Sequence, residues 1–295
     1  MSRLPFYIVD VFAEEKYAGN QLAVFRRAGA LSSAAMQRLA NEMHYSETTF
    51  IVSEEPHGGG YDVRIFTPSA EIPFAGHPTL GTAHIIRHEI LHQPSNTIVL
   101  NLPIGQIPVT FAAGGGDHDQ YWMQQQEPTA GQTFTADTLA PVLGLSPSEI
   151  DTRCPIEEVS TGLPHIVVPL RNLAALKRAK INQDFLFSLI KSTWAKSILV
   201  FCAETYSQQP GVSVRVFADY YGVPEDPATG SGNGCLAAYL VRHRYFGADT
   251  IDVRSEQGYE INRPSLLWLQ ATEKAGTIAV AVGGKAITVA KGEFL

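Results

Sequence analysis

Glu71-Ile72-Pro73-Phe74-Ala75-Gly76 and Glu225-Asp226-Pro227-Ala228-Thr229-Gly230 share the pattern E-x-P-x-x-G. Upstream, Arg64-Ile65-Phe66 matches Arg215-Val216-Phe217, with three residues inserted in the second stretch. Downstream of each glycine the residues turn apolar and predict a helix. The first is expected over 79–91, with Pro78 in its first turn, and the second over 235–246, stopping at Gly247. Further upstream, Gly19 before Leu22-Ala23-Val24-Phe25 mirrors Gly162 before His165-Ile166-Val167-Val168. Each of these is followed by a helix and then a strand, at 47–52 and 197–201. Matches in the same order predict two similarly folded domains. The expected division is 1–115 plus 280–295 against 116–279. The polar break Gly114-Gly115-Gly116-Asp117-His118-Asp119 reads as the junction or, equally, as a hairpin tip.

The remaining pattern is α/β (α+β). Strands are predicted over 7–12, 22–25, 48–52, 61–66, 166–170, 198–201 and 212–217, and the chain ends in short strands. Ser32 or Ser33 caps a helix carrying Met36, Leu39, Ala40 and Met43 at helical spacing. Further helices are expected near 146–150 and 184–191. Residues 67–78 and 221–234 read as Pro/Gly-rich loops.

Composition narrows the function. The 295 residues suit about two domains. Hydrophobic residues are 45% and charged residues 17%, a globular balance that argues against disorder. The net charge is −7 and no basic run occurs, which argues against a nucleic-acid partner. No apolar stretch approaches the roughly 18 residues of a membrane-spanning helix. Met1-Ser2-Arg3-Leu4-Pro5 leads directly into a strand pattern and does not read as a signal peptide. Cys154, Cys202 and Cys235 form no disulfide framework. A cytoplasmic protein is expected.

The paired glycine-to-helix entrances suggest chemistry. A helix N-terminus presents unpaired N–H groups and partial positive charge. Glycine lets a ligand approach the backbone. Two such ends facing one cleft would clamp a small anion, most simply a carboxylate. On spacing alone, the plain alternative of domain-turning Pro/Gly segments stands equally open.

Longer blocks carry a family resemblance. They are Val9-Asp10-Val11-Phe12 with Gly19-Asn20, Ser46-Glu47-Thr48-Thr49-Phe50, and Phe66-Thr67-Pro68 followed by Glu71 through Gly81. Ser160-Thr161-Gly162-Leu163-Pro164-His165 and Glu225-Asp226-Pro227-Ala228-Thr229-Gly230-Ser231 complete the set. In order and over nearly the whole chain, they resemble the PhzF family of phenazine-biosynthesis isomerase-like proteins. The resemblance implies a diaminopimelate-epimerase-like fold, with two domains, each a curved, mostly antiparallel sheet around a central helix, and the site in the cleft between them. It also implies a cofactor-free isomerase, commonly a homodimer, acting on a small carboxylic acid. The best-known member rearranges a dihydro-hydroxyanthranilate ring. The family's acid/base glutamate matches Glu47, its histidine His77 and its aspartate Asp226. Gln21 departs from the proline usual after Gly-Asn, which is expected to alter a turn and little else.

Each site residue also has a plainer reading. Glu47 is placed where a helix gives way to a strand. In an enclosed cleft its carboxyl would be pushed toward working pH and could carry a proton between carbons. Otherwise it is a solvated strand-edge residue. His77 could bind substrate or pair with Asp226, or simply bond the backbone at a helix entrance. Asp226 could be a turn aspartate before proline. Ser46, Gly76, Gly230 and Ser231 would supply hydroxyls and backbone N–H groups to substrate.

Other motifs are weaker. Gly230-Ser231-Gly232-Asn233-Gly234 is not G-x-G-x-x-G, so nucleotide binding is not expected. His84, His88 and His92 share a helical face, but no carboxylate or cysteine completes a metal shell, and no metal is expected. Cys235 has Gly81 as its counterpart, which disfavours a racemase with two thiols. The competing functions are an amino-acid epimerase or racemase, and a non-catalytic small-acid binding protein of the same fold.

Overall fold

A computed structural model describes residues 3–91, 95–112 and 119–295. The chain divides into two compact units, Met1–Met123 with Gly283–Leu295, and Gln124–Val282. Of the polar break at 114–119, only Asp119 falls among the described residues. It is buried and pairs with Arg87 Nε at 3.0 Å.

The first unit begins β1 (Leu4–Val11), β2 (Asn20–Phe25), α1 (Ser33–Met43), β3 (Glu47–Ile51), β4 (Tyr61–Phe66) and a short β5 (Glu71–Ile72). It continues with α2 (Gly76–Ile85), β6 (Thr97–Leu102), β7 (Gly105–Ala112) and β8 (Gln120–Gln124). Strands β2 and β3 are parallel, as are β4 and β6; β1/β2, β3/β4, β6/β7 and β7/β8 are antiparallel. A parallel step needs a crossover, and α1 supplies it. Ser32 is its N-cap, its hydroxyl accepting from the Ala35 N–H at 3.2 Å.

Helix α2 packs against β1, β2, β3, β6 and β7. Every residue from His77 to Ile85 is buried. A helix without a polar face belongs in the middle of a core. Gly81 permits this packing: a Cβ there would lie 2.6 Å from Leu22 Cδ2 and 2.8 Å from Val11 Cγ2. Gly19 is needed for backbone reasons as well. Its φ is +69°, and a Cβ would meet the Val11 carbonyl oxygen at 2.4 Å.

The second unit holds β9 (Thr129–Phe134), α3 (Ala136–Leu143), β10 (Ile156–Ser160), β11 (Pro164–Pro169), α4 (Leu173–Arg178) and α5 (Gln183–Leu189). Then come β12 (Ser197–Cys202), β13 (Gly211–Ala218), β14 (Val223–Asp226), α6 (Gly230–Arg242), β15 (Thr250–Gln257) and β16 (Ser265–Lys274). The long β17 (Thr277–Phe294) carries the chain back to pair with β1.

The pairing pattern of the first unit recurs here. Strands β11 and β12 are parallel, like β2 and β3, while β13 and β15 are parallel, like β4 and β6. Helix α6 packs against β10, β11, β15 and β16. The matched Arg and Glu of the sequence repeat form the same two-pronged pair in each unit. Arg64 Nε and Nη2 donate to Glu71 at 2.7 and 2.6 Å. Arg215 Nε and Nη2 donate to Glu225 at 2.9 and 2.7 Å. Each pair ties two antiparallel strands, β4 to β5 and β13 to β14, just ahead of the central helix. The three-residue insertion is absorbed by a 3-10 turn at Asp219–Tyr221, closed by Gly222 with φ +79°.

Several expected elements are corrected. Helix α2 starts at Gly76, not Thr79, and α6 at Gly230, not Cys235. Gly230, Gly232 and Gly234 weaken helix propensity, but packing overrides it. A Cβ on Gly234 would come 2.9 Å from Thr161 Oγ1 and 3.0 Å from Gln125 Oε1. The segment near 146–150 is only a 3-10 turn, Pro147–Glu149. The real helix there is α3, concealed by Pro141 in its interior but anchored by buried Leu139, Ala140, Val142 and Leu143. The C-terminal strands are long, not short, with β17 spanning 18 residues. Among the described residues, no helix is long and apolar enough to cross a membrane.

Candidate active site

Glu47 opens β3, in parallel register with Leu22 of β2. Its side chain is 19% exposed, and its Oε2 lies 3.4 Å from Nε2 of His77, the second residue of α2. Thr82 Oγ1 donates to Thr49 Oγ1 at 2.8 Å and fixes α2 to β3 just behind this pair. Ser46 immediately precedes Glu47 and is half-buried, and Gly76 is the first residue of α2.

Burial pushes the His77 imidazole down to about 3, against a smaller upward effect from its hydrogen bond to the Gln21 backbone. The ring is therefore neutral at neutral pH, and its contact with Glu47 is not an ion pair there. Nε2 makes no hydrogen bond of its own, so the bond to the Gln21 carbonyl belongs to Nδ1–H. Assigned in this way, the tautomer leaves the Nε2 lone pair facing the Glu47 carboxyl. Gln21 is thus corrected from a turn residue to a strand residue, paired with Asp10 across β1 and β2.

In the second unit, Asp226 is the last residue of β14. Thr229 Oγ1 donates to Asp226 Oδ2 at 2.5 Å. Gln257 Nε2 donates to the Asp226 carbonyl at 2.8 Å and to Thr229 Oγ1 at 3.0 Å. Gln257 Oε1 in turn accepts from Asn233 Nδ2 at 2.8 Å, and Ser255 Oγ donates to Asn233 Oδ1 at 2.5 Å. This uncharged network, largely buried, holds the Asp226 carboxylate in one place.

Gly230 and Ser231 are the first two residues of α6. Neither α2 nor α6 has a side-chain cap at its N-terminus. The Thr229 hydroxyl, which could cap α6, is directed to Asp226 instead. Both entrances present first-turn N–H groups suited to an anion. Behind Ser231, its Oγ lies 3.3 Å from His165 Nε2, while His165 Nδ1 lies 2.8 Å from Ser197 Oγ. Burial pushes His165 down to about 4.

The remaining motifs have other partners. His84 Nδ1 and His88 Nε2 contact the Tyr121 hydroxyl at 3.0 and 3.1 Å, and His84 Nε2 contacts Thr288 Oγ1 at 2.9 Å. His92 lies outside the described residues. Among those described, no three His, Cys, Asp or Glu side chains gather as a metal site. Cys235 is fully buried and its thiol is pushed up to about 12, so it is protonated and unreactive.

Sequence reasoning missed Thr229 and Gln257 as partners of Asp226, and His165 as the neighbour of Ser231. The His165 signal was present inside the Ser160–His165 block. Gln257 comes from a distant strand and left no local signal.

Known proteins share this architecture. A PhzF-family phenazine biosynthesis protein from Bacillus anthracis superposes with a TM-score of 0.91 at 28% identity, covering all of both chains. A hydroxyproline epimerase from Agrobacterium vitis shares the fold, with a TM-score of 0.66 at 9% identity, over 100% of this chain and 91% of that one. A trans-2,3-dihydro-3-hydroxyanthranilate isomerase from Pseudomonas aeruginosa is 35% identical over 289 residues, 97% of this chain and 98% of the relative. Together these define the class: an isomerase built on an epimerase-like α+β fold. The chain belongs to the phenazine biosynthesis-like protein family, PhzC-PhzF, whose model matches residues 9–292.

Proposed function

We propose that the protein moves a proton between carbons of a small cyclic carboxylic acid, with Glu47 as the general acid/base and no cofactor in the proton transfer. The observation that carries this reading is the buried Glu47–His77 contact, in which a neutral imidazole turns its lone pair to the carboxyl. A protonated Glu47 can share its proton with Nε2, and an ionised Glu47 can take one from a substrate carbon. The pair therefore stores a proton without separating charge in a buried place, which suits a shift between two carbons. Asp226, held by Thr229 and Gln257, would accept a hydrogen bond from a substrate amine or hydroxyl. The N–H groups at Gly76 and Gly230, with the hydroxyls of Ser46 and Ser231, would bind its carboxylate.

The name of the Pseudomonas aeruginosa relative supports a ring substrate of the dihydro-hydroxyanthranilate kind. A two-thiol racemase mechanism gains no support: Gly81 stands opposite Cys235 in the repeat, and Cys235 is a buried thiol. The test is the uptake of solvent deuterium at the substrate carbon. Glu47→Gln should abolish it, since an amide cannot carry the proton. Uptake at the wild-type rate would remove Glu47 from the mechanism.

A further inference from the structure

The two units place different chemistry at equivalent points of one scaffold. In the first, the parallel ladder aligns Leu22 with Glu47, and the second residue of the central helix is His77. In the second, it aligns His165 with Ser197, and the second residue of the central helix is Ser231. The positions of Glu47 and His77 thus correspond to Ser197 and Ser231 in the second unit, where His165, at the position of Leu22, links them.

We infer that His165 and Ser197 form a fixed relay that makes the Ser231 hydroxyl a hydrogen-bond donor toward a bound carboxylate, His165 acting as a positioning residue. This rests on the proposed role of Ser231 at the substrate carboxylate. A neutral imidazole has one N–H and one lone pair, so the relay has two possible directions. The Ser197 hydroxyl lies 2.8 Å from His165 Nδ1 but 3.4 Å from its other acceptor, the Pro164 carbonyl. We place the Ser197 proton in the shorter of these contacts, toward Nδ1. His165 then carries its hydrogen on Nε2 and donates it to Ser231 Oγ at 3.3 Å. With an oxygen lone pair already engaged, the Ser231 O–H is directed outward as a donor. The opposite direction would consume the Ser231 proton on Nε2 and leave only lone pairs outward, which an anion would avoid.

Packing holds the ring in place. His165 is 1% exposed, and a Cβ on Gly232 would lie 3.4 Å from its Cε1. The relay carries no net charge, so it costs less to bury than an ion pair would.

The experiment uses the full chain, with anthranilate as a stable ring carboxylate and 2-aminobenzamide as its uncharged match. Nitrogen-15 NMR of histidine-labelled wild-type protein, with the His165 signal identified by its loss in His165→Gln, should show the Nε2–H tautomer. The Nδ1–H tautomer would overturn the inference. Calorimetry should show a wild-type preference for anthranilate over the amide that falls roughly tenfold in Ser231→Ala, the loss of one charge-assisted hydrogen bond. His165→Leu should lose as much, His165→Gln should restore most of it, and the double variant Ser231→Ala/His165→Leu should be no worse than Ser231→Ala. A preference kept in His165→Leu but lost in Ser231→Ala would overturn the relay alone. A preference unchanged in Ser231→Ala would overturn the binding role of Ser231 and the relay with it.

Discussion

His77 Nε2 sits 3.4 Å from Glu47 Oε2, and assigning the ring's hydrogen to Nδ1, toward the Gln21 backbone, turns the Nε2 lone pair to the carboxyl. The backbone of β2 therefore sets the protonation geometry of a pair formed by the start of β3 and the start of α2. The contact can be used in catalysis only if His77 remains an acceptor.

Replacing His77 should separate its roles. His77→Gln keeps a polar side chain near Glu47 but cannot act as a base. Turnover is expected to fall by about 10²-fold or more, the usual size of a general acid/base contribution, with a much smaller change in KM. Steady-state kinetics would check this, and an unchanged kcat would show that His77 only fills space.

The two matching Arg–Glu pairs should differ in their effect on stability. Arg215 and Glu225 are 8% and 9% exposed, whereas Arg64 and Glu71 are 27% and 35% exposed. Glu225→Ala removes the two-pronged partner of a buried guanidinium, which keeps only Glu260 at 3.8 Å and the carbonyls of Leu176, Lys177 and Ala179, and should cost about 2–3 kcal/mol. Glu71→Ala should cost under about 1 kcal/mol, because solvent screens the surviving charge. Urea unfolding of the two variants gives the comparison. Equal losses would contradict the account of how the two strand pairs are held.

Acid should destabilise the fold through its buried histidines. Burial pushes His77 and His84 down to about 3 and His165 to about 4, from an ordinary value of 6.5. Between those values the unfolded chain binds protons that the folded chain refuses. Stability therefore increases with pH across this range and is lost as pH falls from 6.5 toward 3. Urea midpoints measured from about pH 7.5 down to about pH 5 should decrease, and His165→Gln should flatten the slope. A midpoint that rises on acidification would contradict the neutral, buried state of these rings.

Gly81→Ala tests the packing of the central helix. The added methyl meets Leu22 and Val11 at under 3.0 Å, and overpacking of this kind costs about 1–3 kcal/mol. Alanine is otherwise the better helix former, so a gain in melting temperature would show that α2 is less tightly enclosed than described.

Much of the fold was legible in the sequence because burial imposed patterns on it. The E-x-P-x-x-G loops and their upstream arginines marked both central helices, and the Arg–Glu pairs now account for that conservation of pattern between the halves. The start of α6 is hidden because Gly230, Gly232 and Gly234 read as loop, whereas the missing side chains of Gly232 and Gly234 let α6 approach Leu199, Thr161 and Gln125. Pro141 hid α3 in the same way. Of the site, Glu47 and His77 lie in separate sequence blocks, and nothing local says that they touch. Their contact depends on the parallel pairing of β2 with β3 and on the seating of α2 against both. Of the partners of Asp226, Gln257 comes from β15, 31 residues downstream, and only the fold brings it there.

The central claim is that the Glu47 carboxyl carries the migrating hydrogen. The most direct measurement is mass-spectrometric detection of deuterium in product formed from trans-2,3-dihydro-3-hydroxyanthranilate in deuterium oxide, with wild-type and Glu47→Gln protein side by side. Deuterium at one ring carbon with the wild type, and neither product nor label with the variant, is the predicted result. Equal incorporation by both proteins would contradict it.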